Sequence, residues 1–192
     1  MTPPTALPRA YQLKISLIDS DPEIWRQVVV PAQIKLSDLH QVIQLAMGWE
    51  NIHEHAFDTG LGSQRVRHEA SLLLADVIMP ERSLYYTYDF ESGWLHRITL
   101  EALEAHSLAE GGANPVGSQV LPTCTDGAMA CPPEGTGGVW GYDDFLDRLE
   151  DSEDPDYLML IEKYGTFDPD VFEVEAVAAR LQANPLTILS TF

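Results

Sequence analysis

Two histidines two positions apart, His53 and His55 in the segment Asn51-Ile-His-Glu-His-Ala-Phe57, are the residues of this chain best suited to hold a metal. On a strand, alternate side chains leave the same face, so both imidazoles would point one way. Such a pair binds zinc or another transition metal when a third and a fourth ligand converge on it. His96, Cys124, Cys131 and Glu134 are the candidate partners, and in a metal-dependent hydrolase Glu134 would serve as general base. The competing description makes Asn51, His53, His55 and Phe57 the lining of a partly polar sheet face.

Other chemistries lack their patterns. There is no Gly-x-Ser-x-Gly nucleophile elbow. The glycines between Gly135 and Gly141 are not followed by the Lys-Ser/Thr of a phosphate loop, and read better as a tight connection into a helix. Asp151 to Asp156, with Glu162 twelfth in line, imitates a calcium loop, but Pro155 occupies the fifth position and Asp156 the sixth, where glycine is required. Cys124 and Cys131 are the only cysteines, too few for a disulfide scaffold and farther apart than zinc-ribbon ligands; they are free thiols or part of a metal site.

The elements that must position these residues follow from periodicity. Tyr11, Leu13, Ile15 and Leu17 alternate with polar residues as in a half-buried strand, Asp19-Ser-Asp-Pro22 is turn chemistry, and Ile24 to Val30 returns as a second strand. Ser37 is suited to cap a helix with the stripe Leu39, Val42, Ile43 and Ala46, ended by Gly48. Ile52 to Thr59 reads as a strand and Ser71 to Met79 as a short helix stopped by Pro80. Leu84 to Phe90 and Trp94 to Leu100 form a hairpin. A three-residue loop, Glu91-Ser-Gly93, pairs Phe90 with Trp94, Tyr88 with His96 and Leu84 with Leu100, and puts Gly93 at positive φ. His96 is then the only polar side chain on the apolar face, facing the Tyr88 hydroxyl, while Asp89 and Arg97 lie diagonally on the other face. Trp25, Trp49 and Trp94 are expected in the core.

His106 to Gly138 is long, rich in glycine and proline, and without period. Three acidic helices follow, Tyr142 to Glu150, Pro155 to Tyr164 and about Val171 to Gln182, with caps at Asp154 and Asp170. Strands first and helices last give an α+β fold, an antiparallel sheet built from hairpins with one N-terminal helix and a C-terminal cluster of acidic helices. The organisation is a disordered lead-in over 1–9, one domain over 10–183 and a tail over 184–192.

The charge restricts the partners. The net charge is −19, and Gly141 to Glu175 carries thirteen acids and two bases, a net of −11. That field repels phosphate backbones and disfavours direct nucleic-acid binding, whereas a basic protein would complement it. No apolar run approaches the ~20 residues of a membrane span. With no basic-then-apolar leader at its start, the chain is expected in the cytoplasm.

Several segments, taken in order, carry a resemblance: Tyr11-Gln-Leu-Lys14, Pro22-Glu-Ile-Trp-Arg26, Leu36-Ser-Asp-Leu-His40, Gly48-Trp49 with His53-Glu-His55-Ala-Phe57, Tyr88-Asp-Phe90, Trp94-Leu-His96, Cys131-Pro-Pro-Glu134, Gly137-Gly138 and Gly141-Tyr142. Together they resemble the plasmid ORF-three-like family, named after an open reading frame of a root-inducing plasmid, some members of which are described as passenger proteins of insertion elements. This chain has Glu91-Ser92 where that pattern has Gly-Asp, and Gly135 where it has Asp. The resemblance implies an α+β domain without an established activity, in a mobile-element setting. Two functional readings stand side by side: an accessory module acting through protein contacts, and a metal-dependent hydrolase built on His53 and His55, with His96 and Glu134 drawn towards the same polar site.

Overall fold

The computed structural model of the chain describes residues 10–61, 65–79, 83–104 and 120–184. The expected lead-in over 1–9, the stop at Pro80, 106–119 of the long connection and all but the first residue of the tail lie outside the described residues.

The alternating N-terminal segment is strand β1, Ala10–Leu17, with Tyr11, Leu13, Ile15 and Leu17 all buried. Its return is β2, Trp25–Pro31, paired antiparallel from Ser16↔Trp25 to Ala10↔Pro31. Ser20 closes the turn between them, donating to Leu17 O and accepting from Ile24 N. β3 (His55–Asp58), β4 (Leu84–Tyr88), β5 (Trp94–Glu104) and β6 (Thr123–Ala128) complete a six-stranded antiparallel sheet in the order β3-β4-β5-β1-β2-β6.

One face of the sheet is covered. Helix α1, Leu36–Met47, buries Leu36, Leu39, Val42, Ile43 and Ala46, the stripe its 3.6-residue period requires. It closes on Gly48, whose φ of 88° is the left-handed conformation a side chain resists. Ser37 lies inside this helix; the cap position belongs to Lys35, in extended conformation two residues earlier than the hydroxyl pattern suggested. The other helices are α2 (Gly138–Glu150), α3 (Tyr157–Tyr164) and α4 (Val174–Ala183). Tyr142 and Phe145 of α2 pack with Tyr164 and Phe167, while Val177 and Leu181 of α4 are buried in the main core. Their caps are Asp156 and Glu173; Asp154 and Asp168, rather than Asp170, accept the neighbouring backbone N–H groups.

Four further expectations are corrected. Ser71 to Met79 is no helix: one 3₁₀ turn, Glu69–Ser71, ends at its first residue and a second, Leu74–Asp76, lies within it, because Leu73 between them pairs as an isolated bridge with Lys35. The long aperiodic connection contains β6, an edge strand with one apolar buried residue, Cys124. Trp25 is half-buried on the outer face of the sheet, under Lys14 Nζ at 4.8 Å, whereas Trp49 and Trp94 are core residues.

The hairpin is the fourth. Its apolar face is as expected at Leu84, Tyr86, Tyr88, Trp94, His96 and Ile98, all buried, but not at Phe90, which is exposed. The register differs by two: Tyr88 pairs with Trp94, Tyr86 with His96 and Leu84 with Ile98, so the loop is Asp89 to Gly93. A shift of two keeps every side chain on its face. The cause is Asp89, which takes a left-handed φ of 53° and accepts hydrogen bonds from Glu91 N and Ser92 Oγ instead of continuing the ladder towards Arg97. Phe90 is thereby turned outward, and Gly93 has φ 71°.

Candidate functional site

Three distant segments meet at the Tyr88 hydroxyl. The left-handed Gly48 reverses the chain at the end of α1 and drops Trp49 onto the sheet, where its ring stacks on Tyr88 at 5.0 Å and meets His96 edge-on at 5.3 Å. The chain then crosses the end of Tyr88, so Ile52 N and His53 N donate to the phenol oxygen at 3.0 and 3.3 Å. The hydroxyl donates in turn to Glu134 Oε1 at 2.5 Å, and Glu134 Oε2 accepts Glu50 N at 2.9 Å. Trp49 Nε1 donates to Pro132 O, fastening the Cys131-Pro-Pro-Glu segment a second time. Burial first, and then the hydrogen bond to Glu134, push the Tyr88 phenol up to about 12.

The four residues expected to share a polar site are dispersed over this cluster. Glu134 is on Tyr88. His53 precedes β3 rather than belonging to it, is exposed, and stands edge-on to Tyr88 with Nδ1 3.8 Å from Asp89 Oδ1. Same-face placement with His55 fails because Tyr88 draws the backbone of Ile52 and His53 out of the ladder. His55 donates Nε2–H to Glu69 Oε2 at 2.9 Å. His96 is wholly buried on β5, with Nδ1 on Tyr86 O instead of a hydroxyl and Nε2 without a partner among the described residues. The Tyr86 ring lies 5.5 Å from His96 and 5.8 Å from His55, on the strand between theirs. Among the described residues no three histidine, cysteine, aspartate or glutamate side chains gather as a metal shell.

Sequence reasoning missed His40. It lies on the sheet-facing side of α1, stacked on His55 at 3.5 Å and 6°, between Tyr86 Oη at 2.8 Å and Asn51 Oδ1 at 2.8 Å. The amide oxygen can only accept, so Nε2 carries the proton of the neutral ring and Nδ1 accepts from Tyr86, whose oxygen also receives Gln44 Nε2. The available signal was position: His40 and Gln44 sit at i and i+4 on the edge of the apolar stripe.

Two neutral histidines in the core make stability depend on pH. Burial, and next the neighbouring His55, lower His40 to about 4, and burial lowers His96 to about 4. A histidine with a depressed native pKa stabilises the fold fully above its unfolded value of ~6.5 and ceases to do so as pH falls through the native value. The chain should therefore lose stability between about pH 6.5 and pH 4. Urea unfolding across that window should show a shallower slope for His40→Asn than for the native protein; equal slopes would remove His40 from the account.

The model of the plasmid pRiA4b ORF-3-like proteins matches residues 9–176. The chain belongs to this family. It is 35% identical over 170 residues to the uncharacterized protein y4hQ of Sinorhizobium fredii (strain NBRC 101917 / NGR234), covering 83% of this chain and 82% of that one. It is also similar to the crystal structure of a protein of unknown function, MM3350, from Methanosarcina mazei Go1. That match has a TM-score of 0.74 and 32% identity, over 88% of this chain and 98% of the other. Within the plasmid pRiA4b ORF-3-like fold, the Tyr88 cluster acts as a clasp joining the end of α1, the β4–β5 hairpin and the approach to α2. No helix among the described residues is long and apolar enough to cross a membrane.

Proposed function

We propose that this protein is a non-catalytic accessory module of the cytoplasm that holds a basic protein segment on the outer stripe of α2, in the plasmid or mobile-element setting its family suggests. The observation carrying this reading is Trp140, which is 83% exposed although tryptophan is the residue most often buried at binding hot spots. Helical spacing sets it beside Asp143, Asp144 and Asp147, all exposed; Asp144 pairs with Arg148 at 2.9 Å, so the stripe offers one large apolar anchor with the Asp143 and Asp147 carboxylates beside it. Neighbouring α3 adds exposed Leu158 and Met159. The net −11 over Gly141 to Glu175 selects a lysine- or arginine-bearing partner and turns nucleic acid away.

The clasp supports the same reading from the other side. Both Glu134 oxygens are engaged and His96 is sealed, so neither is free to move a substrate proton. For His53 and His55 to serve a hydrolase as metal ligands the two rings would have to converge, yet His53 stands exposed beside Asp89 while His55 is stacked on His40 with Nε2–H on Glu69.

Affinity capture from a lysate tests the proposal by comparing the native chain with Trp140→Ala. Truncating an exposed side chain should change stability by less than about 0.5 kcal/mol. A partner retained by the native protein, lost with Trp140→Ala and released by salt is the expected result. Capture of the same partners by both proteins would refute it.

A further inference from the structure

A cavity of about 450 Å³ opens between the end of α1, β2 and α4. Its polar wall is unusual for a chain of net charge −19: two arginines, Arg26 and Arg180, face it with a single carboxylate, Glu173. Arg26 is 2% exposed. Among the described residues neither arginine is within 4.0 Å of any carboxylate oxygen.

Part of this arrangement is structural. Arg26 donates Nε–H to Ala46 O and Nη1–H to Trp25 O and Ala128 O, and Arg180 donates Nη1–H to Leu45 O, so both satisfy carbonyls at the end of α1. A guanidinium has five N–H donors, and these bonds leave Arg26 Nη2 and both Nε and Nη2 of Arg180 without a partner among the described residues. A buried cation such as Arg26, compensated only by carbonyl dipoles and the face of the Phe172 ring, is costly, and the exposed Arg180 facing the same cavity repels it. Burial, and further the like charge of Arg180, pull Arg26 below its ordinary pKa, but a guanidinium remains charged. Cys131 in the same wall does not supply the missing anion, because burial pushes its thiol up to about 12.

The rest of the wall is apolar and aromatic. Phe172 lies under Arg26 with Cζ 4.2 Å from the ring centroid, and Trp49, Met47 and Val177 complete it. Apolar walls with a few converging polar groups are the composition of a small-molecule site.

We infer that this cavity binds a small organic anion, its carboxylate or phosphate held by Arg26 Nη2 and Arg180 and its apolar body against Trp49 and Phe172. Planar forked donors match either anion, which is why the chemistry of the head group is shared between the two.

Three probes at matched ionic strength separate the possibilities: phenyl phosphate, benzoate and inorganic phosphate, with neutral benzamide as control. Binding is read by tryptophan fluorescence, since Trp49 lines the cavity, and by the melting temperature. The expected result is saturable binding of phenyl phosphate or benzoate, whichever head group the site prefers. Arg180→Gln should weaken it about tenfold or more, and Arg180→Lys by less. Arg180 is exposed, so Arg180→Gln should fold normally and melt near the native temperature without ligand. The inference is overturned by benzamide binding as tightly as the anions, by no saturable binding of either aromatic anion below about 10 mM, or by unchanged affinity in Arg180→Gln. Inorganic phosphate binding as tightly as phenyl phosphate would overturn the role of the aromatic wall.

Discussion

A Trp94→Ala protein should unfold with about 3–5 kcal/mol less free energy than the native chain, a large share of the roughly 5–15 kcal/mol by which domains are stable. Trp94 opens β5, is 1% exposed, pairs across the hairpin with Tyr88 and touches the Trp49 ring at 5.8 Å. Removing the indole forfeits its transfer from water and leaves a void under Trp49. Trp49 cannot collapse into that void without breaking its bond to Pro132 O, and Tyr88 is pinned at its hydroxyl. The site therefore relaxes poorly, which places the cost in the upper part of the usual range. Urea unfolding followed by circular dichroism measures it, and a loss below about 1 kcal/mol would mean that the clasp is not anchored on this ring.

The second large effect is expected from Gly138→Ala. Gly138 begins α2 at φ 80°, and a Cβ there would lie 2.2 Å from Ser92 O, a backbone atom of the hairpin loop. Left-handed backbone costs a non-glycine residue about 1–2 kcal/mol, and the forced separation of two main chains adds about 1–3 kcal/mol. Gly93→Ala is the control: φ is 71°, yet nothing lies within 4 Å of its Cβ, so only the backbone term applies. Gly138→Ala should thus be the more destabilising of the two by about 1–3 kcal/mol. Equal losses would show that α2 and the hairpin loop can part freely.

How much of this was legible varies by physical cause. The faces of β1 and of the β4–β5 hairpin could be read because alternation decides which side of a sheet a residue occupies. Alternation is blind to a shift of two, and there the outcome depended on Asp89, whose carboxylate found Glu91 N and Ser92 Oγ more readily than a place in the ladder. β6 was missed because an edge strand needs little apolar content; Thr123-Cys-Thr-Asp-Gly-Ala owes its place partly to Gly127, where a Cβ would strike the Phe172 ring. At the site, the residue types were visible but their partners were not. Glu134, His53 and Tyr88 are joined by backbone N–H groups of residues 50–53, which no side-chain pattern announces. Arg26 was noticed only as part of a family-like segment. That it is buried and unpaired by any described carboxylate, and that Arg180 faces the same cavity from a helix far along the chain, are facts of packing.

The position of β1 in the middle of the sheet has a bearing on synthesis. Its neighbour β2 follows within a few residues, but its other neighbour is β5, which joins Leu17 to His96 and Ala10 to Glu104. A ribosome-bound chain that has reached β3 can form the first hairpin and α1, yet one edge of β1 still presents its open N–H and C=O groups, and the apolar face beside it lacks Tyr86, Trp94 and Ile98. Closing so long a loop before any reward is slow, and an unpaired edge beside an apolar face is the surface on which nascent chains pair with one another. The interval between the emergence of β1 and that of β5 is therefore when this protein has most need of a chaperone.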